Sequence, residues 1–555
     1  MEQKRLLLAI GLSFVVFFLW SVAFAPKSTE KPAQQTQAMD AGKNGSEKKA
    51  VASSAPQSPA KEDTKPVAMV EEERSALRAR EIIVETPMFR MTLSEKGGAV
   101  ISMVLKGYRE TTAADSPLKE LIPKETIGGT ALVSFGAENG AALERALFTA
   151  DSATDKIEVQ GEHSDLRFSF RTADGLRIDK SYRFFPKSYL FDLNITIHNE
   201  SAQAIQAPLK IALRHAMKSD SASYGFEGPS GLINGSLEQV KIKDFEEQNK
   251  LEGTLRWIAI EELYFMECLI SKNPGAGTMA LAYKDNILEN RLISETGEIP
   301  SGGQVELAYS IFMGPKSISV LKAAGNEMDK AINFGWVEFI AKPCLYFMNF
   351  IHRYIPNYGI AIIILTIISR LVFWPLANKS YKSMNDMRKL QPLMQEIREK
   401  YKDDKARINQ ETMALYRTYK VNPMGGCLPM LIQMPVFFAL YRMLYQAIEL
   451  RHAPFFGWIN DLSAPDRLFN FGFKIPFMSE PYGIPVLTII MGATMLLQQK
   501  LSPQPGDPTQ AKMMMLMPIV FTFIFINFPS GLVLYWLVSN LVSIGQQYYT
   551  MKKLA

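Results

Sequence analysis

Apolar and polar positions follow three different rhythms along this chain of 555 residues. At the N-terminus, MEQKRLLLAIGLSFVVFFLWSVAFA places about twenty apolar residues after Lys4 and Arg5, enough to span a bilayer core of about 30 Å. Residues 1–25 read as a transmembrane anchor. The other reading is a cleaved signal peptide ending at Ala23-Phe24-Ala25, but the run is longer than such peptides use. Residues 26–75 are rich in Pro, Ala, Ser, Gln, Lys and Glu and poor in aromatic clusters, a composition that buries little and predicts a disordered linker.

From 76 to 325 the apolar period becomes two. In LFDLNITIHN, Phe191, Leu193, Ile195 and Ile197 alternate with polar residues, the signature of a half-buried strand. Asp174-Gly175 sits between Phe168/Phe170 and Ile178/Tyr182/Phe184, predicting a hairpin, and the pattern repeats around Gly97-Gly98. The region reads as a large antiparallel β-sandwich whose titratable residues form no evident constellation. Residues 333–356 contain FGWVEFIAKPCLYFMNFIHRY, aromatic and apolar with a few basic groups and interrupted by Pro343. This predicts an amphipathic helix in the membrane interface, or alternatively a helix packed on the β-domain.

Beyond 357 the runs are long and apolar: about 358–376, 427–447, 483–499, 513–528 and 532–548. With the N-terminal run this gives six spans and both termini on one side. The expected fold class is therefore a multi-domain membrane protein, an all-β outer domain joined to an α-helical core of five spans over 357–550. Loop charge orients it. Residues 377–422 carry eleven basic residues and residues 448–482 only Arg451, Arg467 and Lys474, so the first loop and both termini are cytoplasmic and the β-domain lies outside. Within 377–422, Met384, Met387, Leu390, Met394, Ile397 and Tyr401, then Ile408, Thr412, Leu415, Tyr416 and Tyr419, recur at helical spacing. They predict two short antiparallel helices, a basic hairpin that is either a solvated face or a contact for acidic or apolar partners.

Composition excludes more than it selects. A net charge of +5 gives no support to nucleic-acid binding. Cys268, Cys344 and Cys427 are too widely spaced for a metal motif, and no phosphate loop or nucleophile elbow occurs. No catalytic or metal-binding residue is assigned.

The chemistry concentrates in IAIIILTIISRLVFWPL (360–376), where Arg370 interrupts an apolar run. A central arginine costs roughly 2.5–3.5 kcal/mol on insertion scales. Thr366 and Ser369 share its face, and the five core runs hold no Asp or Glu; their neutral polar groups include Gln433, Thr488, Thr494, Gln498, Thr522, Ser539, Asn540 and Ser543. Arg370 therefore either snorkels to the cytoplasmic surface or faces a hydrated cavity, and the polar neighbours favour the cavity. A solute transporter or channel is the competing class. It would call for inverted repeats and an intramembrane titratable group, and neither is evident.

KVNPMGG (420–426), CLPMLIQMPVFFALYRML (427–444) and FPSGLVLYWLVSNLVS (528–543) resemble the YidC-type membrane protein insertases, which include the mitochondrial Oxa and chloroplast Albino relatives. The resemblance covers 357–550 and implies a non-enzymatic insertase and chaperone of inner-membrane proteins that uses no nucleotide or other cofactor. It implies nascent membrane proteins, ribosome–nascent chain complexes, the Sec translocon and lipids as partners. It matches Arg370, Thr366, Ser369 and Gln433 to a cytoplasm-open hydrophilic groove. Phe437, Met491, Tyr535 and Trp536 match an apolar slide contacting the client. The chain departs from the family pattern at Tyr535-Trp536, where a tyrosine pair is common, and at Asn527, where an aromatic is common. The outer domain of such members is a β-super-sandwich.

Overall fold

The computed structural model describes residues 79–136, 143–217, 225–402, 404–421, 428–501 and 508–554. The anchor and linker expected over 1–25 and 26–75 lie outside the described residues.

Strands occupy Glu81 through Pro315. A twelve-stranded sheet is organised on the 20-residue strand Phe265–Lys284, which pairs along one edge with Lys250–Glu261. On the other edge it forks: Phe265–Ser271 pairs with Gln304–Pro315, and Gly277–Lys284 pairs with Ile287–Ser294. The alternating strand predicted around residue 193 is Leu190–Asn199, and its Phe191, Leu193, Ile195 and Ile197 are fully buried. Each such side chain contributes roughly 1.5–3 kcal/mol by leaving water. The hairpin at Asp174-Gly175 joins Ser164–Arg171 to Leu176–Phe184, with Gly175 at φ +81°.

A five-stranded sheet, Leu118–Glu120, Ala99–Arg109, Phe89–Ser94, Glu81–Glu85 and Lys156–Glu158, shares one apolar core with the larger sheet. The two are joined by a polar bond through that core. Gly97 and Gly98 both adopt positive φ, and the buried Lys180 of the large sheet donates from Nζ to the carbonyls of Gly97, Gly98 and Ala131 at 3.1, 2.6 and 3.1 Å. Tyr182 Oη donates to Gly98 O as well.

Helices follow: α1 (Ile318–Ala324), α2 (Glu338–Tyr354), α3 (Tyr358–Val372), α4 (Trp374–Lys400), α5 (Lys405–Thr418), α6 (Leu428–Gln446), α7 (Val486–Leu501), α8 (Pro508–Phe525) and α9 (Ser530–Leu554). Helix α9 is the hub, packing on α3, α4, α6 and α7, while α8 packs on α7.

Three sequence expectations change. Pro343 does not interrupt α2, which runs through it. Helix α2 buries Ala341, Leu345, Met348 and Ile351 against α3 and α6 instead of the strands, leaving Phe339, Phe350 and Tyr354 exposed. The apolar run 358–376 is not one helix. Helix α3 stops at Val372, and α4 leaves at 62° with Pro375 in its first turn, where a missing N–H costs no hydrogen bond. The basic hairpin is α4 and α5, but α4 is 27 residues long, not short. Tyr416 Oη meets Met394 Sδ across the pair, and Asp404 caps α5 by accepting from Arg407 N.

No single helix among the described residues is long and apolar enough to cross a membrane. The bent pair α3–α4 passes that test together, and α7 and Lys512–Phe525 are shorter apolar helices.

Candidate functional site

Arg370 lies in the last turn of α3, two residues from the helix end at Val372, nearer the bend than the sequence run suggested. Its guanidinium crosses to two other helices. Nε donates to Ser539 Oγ on α9 at 2.7 Å and Nη2 donates to the same oxygen, while Nη1 donates to Gln433 Oε1 on α6 at 3.0 Å. Tyr535, one turn before Ser539, presents its hydroxyl to Gln433 and Ser539. Among the described residues Arg370 forms no salt bridge. A guanidinium has five N–H donors, and three are engaged by neutral oxygens, so two have no acceptor among the described residues.

Thr366 and Ser369 behave differently from expectation. Thr366 is buried, and its Oγ1 donates to Ile362 O of its own helix at 2.6 Å; Ser369 Oγ donates to Thr366 O at 2.8 Å. Their polarity is satisfied by the backbone of α3, which is how hydroxyls are accommodated inside apolar helices. Neither bonds to the guanidinium, whose partners come from α6 and α9.

The four slide residues also divide. Phe437 and Trp536 are half-buried, with ring centroids 5.2 Å apart and edge-on, and Trp536 packs on Phe521 and Phe525 of α8. Met491 and Tyr535 are buried, at 0% and 4% exposure. Tyr535 belongs with the polar cluster instead. Met434 and Phe438 flank Phe437 on α6 and are exposed, and their four-residue spacing is the signal in the sequence that places them on one turn. In the sequence Ser539 is one neutral group among many, because its contact spans 169 residues.

The two ends of the helices are held by different contacts. At the end bearing α4 and α5, α9 grips the start of α4: Gln546 Nε2 donates to Trp374 O, Thr550 Oγ1 to Asn378 Oδ1 and Tyr381 Oη to Ser543 O. At the opposite end the segment between α6 and α7 lies across the helices. Asn357 at the start of α3 reaches Phe455 O, Ser530 N and Gly531 N donate to Ala464 O and Leu462 O, and Asp466 accepts from Leu487 N and Thr488 N of α7. This strap is fastened to the strand region by Arg451, whose Nη2 donates to Arg109 O at 2.6 Å, and the end of α6 is fastened there too, Tyr264 Oη donating to Tyr445 O at 3.3 Å.

Beside that joint lies a buried constellation the sequence did not reveal. His215 sits between Glu267 (Nδ1 to Oε1, 3.0 Å) and Glu262 (Nε2 to Oε1, 3.3 Å), with Lys119 Nζ 3.1 Å from Glu262. Burial disfavours the charged imidazole, but the hydrogen bonds to Glu262 and Glu267 outweigh it and push His215 up to about 9. Burial likewise opposes ionisation of Glu262, and the bond from His215 with the Lys119 charge brings it down to about 2. Every member is paired, so the cluster is structural. Among the described residues no group of three or more His, Cys, Asp or Glu is placed to hold a metal ion.

Comparison with known proteins gives two family matches. Residues 81–347 match a family described as the YidC periplasmic domain, and residues 350–555 match one described as the 60Kd inner membrane protein. The membrane protein insertase YidC of Syntrophus aciditrophicus is 42% identical over 565 residues, covering 99% of this chain and 100% of that one. Its counterpart from Pelobacter propionicus is 39% identical over 556 residues, covering 99% of each. A crystal structure of an active YidC insertase with the first transmembrane domain resolved covers 87% of this chain and 97% of its own, at 20% identity and a TM-score of 0.37. With such identity sustained from end to end, and with both the strand-rich and the helical regions matched, this chain belongs to the YidC family of membrane protein insertases.

Proposed function

We propose that this chain inserts client proteins into the inner membrane by admitting a client segment to the polar cluster of Arg370, Gln433, Ser539 and Tyr535 from the side of the α4–α5 hairpin. One observation carries the reading: a permanently charged side chain lies among apolar helices, held by neutral groups, with two donors free. An unpaired cation in such a place suits a transient carboxylate better than a resident one. Beside it, Phe437 and Trp536, with Met434 and Phe438, form the apolar track for the client, with the buried Met491 behind it, while Tyr535 stays with the polar cluster. The strap of 453–466 lies across the far ends of α3, α7 and α9, which favours lateral exit into lipid over passage straight through.

The chain acts with six spans and cytoplasmic termini, α3 with the bend that joins it to α4 and the short α7 and α8 counting among them. The loop charges support this orientation, because the basic hairpin and the strand region lie at opposite ends of the helices. Residues 1–25 serve as the anchor, 26–75 as the linker, and α2 lies in the interface with Phe339, Phe350 and Tyr354 toward lipid. Nascent chains on ribosomes and the Sec translocon are the partners this role calls for.

The test is site-specific photocrosslinking. Photoreactive residues at Phe437 and Trp536 should capture a ribosome-bound client segment, whereas one at Tyr283 on the strand region should not. Crosslinks to lipid alone at both positions would remove the track.

A further inference from the structure

Between Leu468 and Ile484 the chain LFNFGFKIPFMSEPYGI forms a small hairpin at the strap end of the helices, closed by paired backbone bonds between Leu468 and Ile484 and by Phe471 N to Tyr482 O. It presents phenylalanines outward: Phe469 is 68%, Phe473 65% and Phe477 97% exposed. Clustered apolar exposure of this kind marks a surface that is covered in use.

The hairpin is held in place. Arg467 donates to Pro481 O at 2.8 Å, to Ile526 O at 2.8 Å and to Asn527 Oδ1 at 3.3 Å. Asn527 in turn accepts from Ser479 N at 2.9 Å and donates from Nδ2 to Phe477 O at 2.9 Å. Asn527 thus fixes the hairpin tip. Phe469 and Phe477 both adopt positive φ, 59° and 63°, a backbone that a phenylalanine keeps only when its surroundings impose it.

Three observations identify what covers the surface. Ile489 and Ile490 on the first turns of α7 and Phe523 and Ile524 on the last turn of α8 are exposed as well, so both helices present apolar side chains at the end from which the hairpin extends. Helix α7, at 16 residues, is about 24 Å long and stops short of a hydrocarbon core of about 30 Å, and the hairpin extends from its short end. The hairpin carries only Lys474 and Glu480 as charges, with Lys474 directly after Phe473, the pairing of an apolar body and a basic head that suits a phosphate-bearing interface.

We infer that the 468–484 hairpin is a lipid-binding element that seats Phe469, Phe473 and Phe477 in the outer leaflet of the bilayer, completing the apolar surface of α7 and α8 where those helices end. The inference rests on the spanning role given to α7 above. It is tested with a benzophenone-bearing phenylalanine analogue placed singly at Phe477, Ile489 and Tyr283 of the full chain in phospholipid vesicles, adducts being read by mass. The expected result is a phospholipid adduct at 477 as abundant as at 489, and none at 283. A protein adduct or no lipid adduct at 477, with lipid captured at 489, overturns the inference and leaves the hairpin as a docking surface for another chain. Loss of lipid at both 477 and 489 overturns it together with the spanning role of α7.

Discussion

Replacing Arg370 by alanine should penalise clients according to their charge. Two opposite charges 4 Å apart attract by about 4 kcal/mol at an effective dielectric near 20. Carrying one aspartate to the middle of a membrane helix costs roughly 2.5–3.5 kcal/mol. The two nearly cancel, so a carboxylate in a client's translocated tail gains most of its passage from this one guanidinium. Ser539 and Gln433 need not release Arg370 for that to happen, because two N–H groups remain unengaged. Losing about 1.4–2.8 kcal/mol of this offset slows or weakens the step by about tenfold to a hundredfold. Arg370→Lys keeps the charge as a compact head without the fork, so it should retain most acidic-tail insertion while losing the bond geometry to Ser539. The assay is protease protection of the translocated tail in vesicles containing the parent, Arg370→Ala or Arg370→Lys chain, with paired clients differing only by one Asp or Asn in that tail. If the Asp-to-Asn insertion ratio is the same for parent and alanine chains, the charge has no role and the reasoning fails.

Other expectations concern the architecture around the site. His215, raised to about 9 from an ordinary value near 6.5, adds stability that is fully present below about pH 6.5 and is lost as pH rises through 9. Thermal unfolding of the full chain should therefore show a strand-region midpoint that falls across this window as roughly 3 kcal/mol of stability is lost, and His215→Gln should flatten the profile. Lys316→Met should destabilise by roughly 3–5 kcal/mol, because Glu261, fully buried and bonded to Lys316 Nζ at 2.6 Å, would keep its charge without its cation; denaturant unfolding reads this directly. Gly359→Ala would set a methyl 2.0 Å from the Phe455 ring, so it should loosen the strap from α3 at a cost of roughly 1–3 kcal/mol, seen as faster hydrogen exchange over 453–462.

The strands were legible because a period of two with glycine-punctuated turns is a local property, and Phe191 to Ile197 and Asp174-Gly175 fall where that pattern puts them. The isolation of Arg370 from acidic partners was legible for a similar reason: a run without Asp or Glu can be counted. What could not be read is which neutral groups meet it. Thr366 and Ser369 are neighbours in sequence but bond to their own helix, whereas Ser539 and Gln433 arrive from α9 and α6 through packing. Tyr535 and Trp536 differ by one residue, hence by about 100° around α9, and so one joins the polar cluster and the other the aromatic track. The His215 cluster gathers residues from four separated strand-region segments, a long-range coincidence without a local signal.

The hold on Arg370 also determines how the site responds to acidity. A guanidinium stays protonated throughout the physiological range, and its three neutral-acceptor bonds do not depend on proton concentration. Any acid sensitivity of capture therefore belongs to the guest: it should follow the carboxyl group of each client, near 4 for an ordinary aspartate or glutamate. If Arg370 receives the client as proposed, the receiving side would stay constant across neutral pH, and selectivity among polypeptides would be written in the polypeptides themselves.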